Sequence, residues 1–260
     1  MTVPTIATVD FGGESRSPLL IVGPSLGTSV EALWTASAHR LTSAYHVIGF
    51  DLPGHGGSPA PHSAFSIADI ATAVHGIAIG HGVTRYHYAG VSAGGAIGLE
   101  LLLQHGDSLE AVALICTAAK IRTSDAWLER ADSVRNNGTS VMLGPAATTW
   151  FADGFIERDP ATSTALLDSL RATDREGYAR VCEALAQFDA RDRLSGITGT
   201  VTAIAGAQDI ATPPQALMVL AERIPGARYV ELAETAHLAP AEQPGLIAGE
   251  LLAWTQRSPQ

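Results

Sequence analysis

The string Gly90-Val91-Ser92-Ala93-Gly94 offers the clearest chemistry in the chain. A G-x-S-x-G motif between a strand and a helix puts its serine on a strained turn at the carboxyl edge of a sheet. Here the apolar run 85–91 (RYHYAGV) precedes it, and the stretch 94–104, apolar nearly all round, follows it. Gly90, Gly94 and Gly95 remove Cβ atoms where strand and helix converge. A serine hydroxyl is a weak nucleophile at neutral pH. It needs a base, commonly histidine, itself oriented by a carboxylate. In this setting the partners follow in the order serine, acid, histidine. Of nine histidines only His105 and His237 lie beyond Ser92, and His105 sits too far along the same helix to turn back. His237 is therefore the expected base. Asp209, just past the run 200–206 (TVTAIAG), is the expected orienting acid, since Glu231 and Glu234 precede His237 too closely to face it.

Acyl transfer also needs donors for an oxyanion. The backbone N–H of Ala93, the residue after the nucleophile, is one expected donor. The second is expected from Leu26 in the loop 23–28, because Pro24 has no N–H. The loop 51–58 (DLPGHGGS) contains a further histidine, His55. Its glycines permit a sharp turn that Asp51 and His55 brace, so its role reads as structural.

The elements that must hold these groups follow from periodicity. The runs 18–23 (PLLIVG), 45–51 (YHVIGFD), 85–91, 109–116 (LEAVALIC), 200–206 and 228–232 (RYVEL) read as strands buried on both faces. Helical patterns lie between them at 31–43, 66–80, 94–104 and 213–224. Ser66 and Asp69 make a capping-box start to the second, and Pro213 suits a first turn. This alternation predicts an α/β fold with a mostly parallel sheet and helices on both faces. From 120 to 194 no strand pattern appears. Helices are expected at 124–135, 161–172 and 174–188, the first with Trp127, Ala131 and Val134 on one face. The expected organisation is thus a core of 1–119 and 195–260 with a helical lid, 120–194, over the strand ends.

Composition narrows the partners. Sixteen basic and twenty-six acidic residues give a net charge of −10, which argues against nucleic acid or an anionic membrane as a main partner. No apolar stretch approaches the roughly 18 residues of a membrane span. No leader pattern is visible at the start, and two cysteines with no C-x-x-C exclude a disulfide framework, so a reduced, cytoplasmic setting is expected. A small-molecule lactone or ester is the expected partner, and a homo-oligomer is left open.

Together these strings resemble the α/β-hydrolase family, and within it the 3-oxoadipate enol-lactonases. The resemblance is carried by PSLGTSVEALW (24–34), DLPGHGGS (51–58), GVSAGGAIGLEL (90–101), CTAAKIRTSDAW (116–127) and AGAQDIATPPQAL with PGARYVELAETAHLAPAEQPG toward the end. Pro24 stands where such enzymes often carry Asn, and Pro53 where they often carry Arg. The resemblance implies hydrolysis of a small carboxylated lactone without cofactor or metal. A free carboxylate needs a cation. Lys120 or Arg122, at the start of the lid, is expected to supply it, with Trp127 walling the pocket. A general carboxylesterase or perhydrolase-like member of the same superfamily shares these motifs. A hydrolase-fold binding protein is disfavoured by the presence of Ser92, Asp209 and His237, and a dehalogenase by serine at the elbow.

Overall fold

The computed structural model describes residues 2–255. Strands and helices alternate first as β1 (Thr8–Gly12), β2 (Leu19–Gly23), α1 (Val30–Leu41), β3 (His46–Phe50), α2 (Ile67–Gly80), β4 (Tyr86–Val91), α3 (Ala93–His105) and β5 (Leu109–Ile115). Five helices follow: α4 (Ser124–Asn137), α5 (Leu143–Thr149), α6 (Phe155–Arg158), α7 (Pro160–Ala172) and α8 (Arg175–Gln187). The alternation then resumes with β6 (Thr200–Gly206), α9 (Pro214–Arg223), β7 (Arg228–Leu232), α10 (Ala239–Glu242) and α11 (Pro244–Leu252).

The strands form one sheet in the order β1-β3-β2-β4-β5-β6-β7, parallel throughout except that β1 runs antiparallel to β3. β2 is buried along its whole length, as a strand covered on both faces must be. The capping box at Ser66 is formed in both directions: Ser66 Oγ accepts from the Asp69 N–H, and Asp69 accepts from the Ser66 N–H. Asp51 braces the loop after β3 by accepting from the N–H groups of Val30 (2.7 Å) and Gly57 (2.8 Å). Among the described residues no helix is long and apolar enough to cross a membrane.

Two regions differ from the sequence expectation. β1 has no counterpart in the predicted elements. It is a half-exposed edge strand of five residues (TVDFG), with a register irregularity between Asp10 and Gly12, and it carries too short an apolar pattern to read as a strand. α5 and α6 were likewise not expected, because Gly144 and Pro145 sit in a stretch without clear helical period.

The helical insertion lies against the carboxyl ends of the strands. α4 packs on α8, and Arg135 joins them by pairing with Glu176 and Glu183, each at 2.7 Å. Its contact with the core includes direct backbone bonds. The N–H of Asp174 donates to Gly54 O (2.9 Å), and that of Ala190 to Ala119 O (2.8 Å).

Candidate active site

Ser92 terminates β4 and opens α3. Its backbone sits at φ 56, ψ −111, a region that L-residues rarely occupy. The surroundings over-determine this strain. The Ser92 N–H donates to Ile115 O (2.9 Å), and its carbonyl accepts from Thr117 Oγ1 (2.8 Å) and from the Ala96 N–H (2.9 Å). A Cβ on Gly90 would stand 2.3 Å from Gly94 O, and one on Gly94 would stand 2.8 Å from Pro24 O. Neither position tolerates a side chain, which is why the motif demands glycine there. The Gly94 N–H donates to Pro24 O at 3.0 Å, tying the 23–28 loop to the elbow.

Asp209 lies three residues past β6, where its N–H closes a turn on Gly206 O (3.1 Å). One carboxylate oxygen accepts the N–H groups of Ala211 (2.8 Å) and Thr212 (3.0 Å). The other accepts Thr212 Oγ1 (2.7 Å) and faces His237 Nδ1 (2.9 Å). Burial alone would raise the Asp209 pKa. The charge and hydrogen bond of His237, with the Thr212 donors, outweigh burial and hold it below the ordinary carboxylate value. His237 follows β7 and is 4% exposed. With Nδ1 bound to Asp209, Nε2 is the nitrogen left free to exchange a proton.

Ser92 and His237 line one partly open cavity of about 600 Å³, its mouth included. No hydrogen bond joins Ser92 Oγ to the imidazole among the described residues. Such bonds commonly tighten only when substrate is held. Leu26 lines the same cavity, and Ala93 begins α3 directly after Ser92. The geometry thus brings Ser92, His237 and Leu26 to one space, with Asp209 behind the imidazole and Ala93 at the head of α3.

The far wall comes from the insertion, and here the expected cations separate. Lys120 is turned away. Its Nζ donates to Ala186 O at the end of α8 (2.8 Å) and to Ser124 Oγ (3.3 Å), and it does not line the cavity. A lysine reaching the last carbonyls of a helix satisfies acceptors the helix leaves open. The expectation that Lys120 binds substrate is therefore corrected. Arg122 and Trp127 do line the cavity. Trp127 is buried, and its indole N–H donates to Ile121 O (2.5 Å), fixing the backbone just before Arg122, which itself sits at φ 55.

Arg130 also lines the cavity and was not foreseen. It follows Trp127 by three residues on α4, so both lie on one helix face, and its guanidinium stands 5.1 Å from the Trp127 ring. That spacing was the signal available in the sequence. Neither Arg122 nor Arg130 has an acidic partner among the described residues. Partial desolvation and the neighbouring Arg130 charge lower the Arg122 pKa. Two guanidiniums without a carboxylate partner among the described residues thus share one cavity, a pairing whose chemistry suits an anion.

The α/β hydrolase fold family matches residues 18–244, and the chain belongs to it. Similar curated proteins include 3-oxoadipate enol-lactonase 2 of Acinetobacter baylyi, 35% identical over 232 residues, with 89% of this chain and 86% of the relative covered. 3-Oxoadipate enol-lactonase 1 of the same organism is 29% identical, over 91% of this chain and 88% of its own length. Among solved structures, the enol-lactonase from Burkholderia xenovorans LB400 superposes with a TM-score of 0.92 at 31% identity, covering 97% of this chain and 96% of that one. The carboxylic ester hydrolase class expected from the sequence is the class these relatives represent.

Proposed function

We propose that this enzyme opens a small enol-lactone bearing a free carboxylate, of the 3-oxoadipate enol-lactone kind, using Ser92 as nucleophile, His237 as base and Asp209 as its orienting acid. The carrying observation is the cavity itself. Its lining brings Ser92 and His237 together with Arg122, Arg130 and Trp127, and neither arginine has an acidic partner among the described residues.

Ser92 Oγ attacks the lactone carbonyl carbon while its proton passes to His237 Nε2. The oxyanion so formed takes hydrogen bonds from the Leu26 and Ala93 N–H groups; a single such donor contributes about 3 kcal/mol. The ring C–O bond then breaks. The departing enol oxygen recovers the proton from His237 and tautomerises to a ketone, which cannot re-close the ring. Water loses a proton to His237 and attacks the acyl carbon, and the Ser92–acyl bond breaks with the proton returned to Oγ. Asp209 holds Nδ1–H throughout and stabilises the imidazolium. The helical insertion acts as the lid, and its arginines bind the carboxylate that the reaction leaves untouched. The two cysteines, buried and free, suit a reducing, cytoplasmic setting.

Ser92→Ala tests this reading. Its kcat on the enol-lactone is expected to fall by about 10⁴- to 10⁶-fold, with loss of the fluorophosphonate adduct at residue 92. Wild-type turnover in that variant would overturn it. Faster hydrolysis of neutral p-nitrophenyl esters than of the lactone by the native enzyme would shift the assignment to a general carboxylesterase.

A further inference from the structure

Glu242 takes no part in the steps above, yet its carboxylate is buried, 6% exposed, five residues beyond His237. It has no cationic side chain among its described partners. Both its bonds go to backbone: Oε2 accepts the N–H of Ala152 (2.8 Å) and Oε1 the N–H of Ala236 (3.1 Å). A lone buried carboxylate is costly, and a chain that only needed to fill this space could use an apolar residue instead. Burial raises its pKa above the ordinary value, and the amides of Ala152 and Ala236, with His237, only partly offset that.

The two amides come from regions far apart in sequence. Ala236 immediately precedes His237, while Ala152 belongs to the helical insertion. The same junction is crossed in the opposite sense by Trp150, whose carbonyl accepts the N–H groups of His237 (3.2 Å) and Leu238 (3.3 Å). The Trp150 side chain walls the cavity, and its ring lies 3.4 Å from where a Gly27 Cβ would stand in the oxyanion loop. From the core side, Ala236 O accepts only the weak Cys116 Sγ–H donor, at 3.4 Å. The backbone around His237 is thus held from both sides: the Gln208 N–H ties Thr235 O to the core (2.8 Å), and the insertion ties His237 and Leu238 through Trp150 O.

We propose that Glu242 is a positioning residue: its carboxylate clasps the His237 loop to the 150–152 segment of the lid and so sets where the imidazole stands relative to Ser92. The clasp makes the lid a working part of the base as well as the wall of the substrate pocket. This proposal rests on the reading of Ser92, His237 and Asp209 as the reacting groups.

Glu242→Gln isolates the role. The carboxamide can accept one N–H but must turn its own NH₂ against the other, donor facing donor. Rates are measured on p-nitrophenyl acetate and normalised to Ser92 titrated with a fluorophosphonate. We expect kcat to fall by about tenfold to a hundredfold, as a displaced catalytic group does. KM should change by less than about twofold, since no substrate contact is removed. The second-order rate of phosphonylation should fall by the same factor as kcat, because it uses the same imidazole. Glu242→Asp, which keeps the charge but not the reach, should fall between. A purely structural carboxylate would lower the melting temperature while leaving both rates per titrated site at the wild-type value, and that result overturns the proposal. If both variants fail to fold, hydrogen exchange on the native enzyme decides. Protection of amides 152 and 236 to the level of the β-strands supports the clasp, and rapid exchange at either one refutes it. A native enzyme that takes no phosphonate at Ser92 removes the underlying reading, and the clasp with it. A labelled native enzyme with an unaffected Glu242→Gln variant removes the clasp alone.

Discussion

The strand-end core and the helical insertion build opposite walls of one cavity by different means. In the core, Ser92 and Asp209 are placed mainly by backbone. The φ of Ser92 is imposed by glycines and by bonds to Ile115 O and Thr117, and Asp209 is held by two amides of its own turn. In the insertion, the cations lining the cavity are long side chains, Arg122 on the loop before α4 and Arg130 on α4 itself. Arg130 leans on the Trp127 ring, and α4 and α8 are joined through the ion pairs of Arg135. Backbone placement is stiff and local. Side-chain placement depends on how helices pack, so it can change without disturbing the chemistry. On the proposed function, the reaction type belongs to the core and the choice of substrate to the insertion, with Glu242 where the two meet.

Substitutions on the two walls should therefore fail differently. After Ser92→Ala, the largest effect is expected at Asp209→Asn, which keeps the shape but favours the wrong imidazole tautomer. Its kcat should fall by about 10⁴-fold on every substrate alike, charged or neutral, as initial rates on both would show. Arg130→Ala and Arg122→Ala should instead raise KM for a carboxylated lactone by about ten- to a hundredfold, the loss of one charge-assisted hydrogen bond. KM for a neutral ester of the same size should stay within about twofold. An equal effect on both substrates would dissolve the division between the walls.

The smallest effect is at the seam. His55 is fully buried in the 51–58 loop, bonded to Pro53 O (3.0 Å) and stacked on Tyr178 of α8. Burial pushes its pKa down from 6.5 to about 4, although the Pro53 carbonyl and Asp174 pull the other way. Between those values the unfolded chain binds a proton that the folded one refuses, so stability is lost as pH falls through that window. Urea melts of His55→Gln at pH 7 and pH 5 should show a pH-dependent loss smaller than wild type by about 2 kcal/mol. An unchanged difference would mean that acid destabilisation arises elsewhere.

Much of this was legible in the chain, for identifiable reasons. The strands β2 to β6 announce themselves as mostly apolar runs, because a strand covered on both faces cannot alternate; β7, expected to be buried on both faces, is instead an edge strand, half-exposed over most of its length. β1 did not announce itself, since an edge strand with one wet face and five residues leaves almost no pattern. Ser92, Asp209 and His237 could be picked by chain order, because the topology fixes which loops reach the carboxyl edge of the sheet. Lys120, Arg122 and Arg130 could not be ranked that way. All three lie near the start of the insertion, and only the packing of α4 on α8 decides that Lys120 reaches the Ala186 carbonyl while the two arginines line the cavity.

The amino-acid order by itself determined the elbow, the capping box at Ser66, the strands β2 to β7 and the three residues proposed to react. The elbow and the cap depend on backbone angles or on neighbours a few residues away, and local sterics are written directly in residue type; the three residues follow from chain order within the topology. Tertiary structure alone decided which cations face the cavity and that Glu242 bonds an amide 90 residues earlier in the chain. Those contacts depend on where separately formed helices come to rest, and the direction of a long side chain is set by what packs against it.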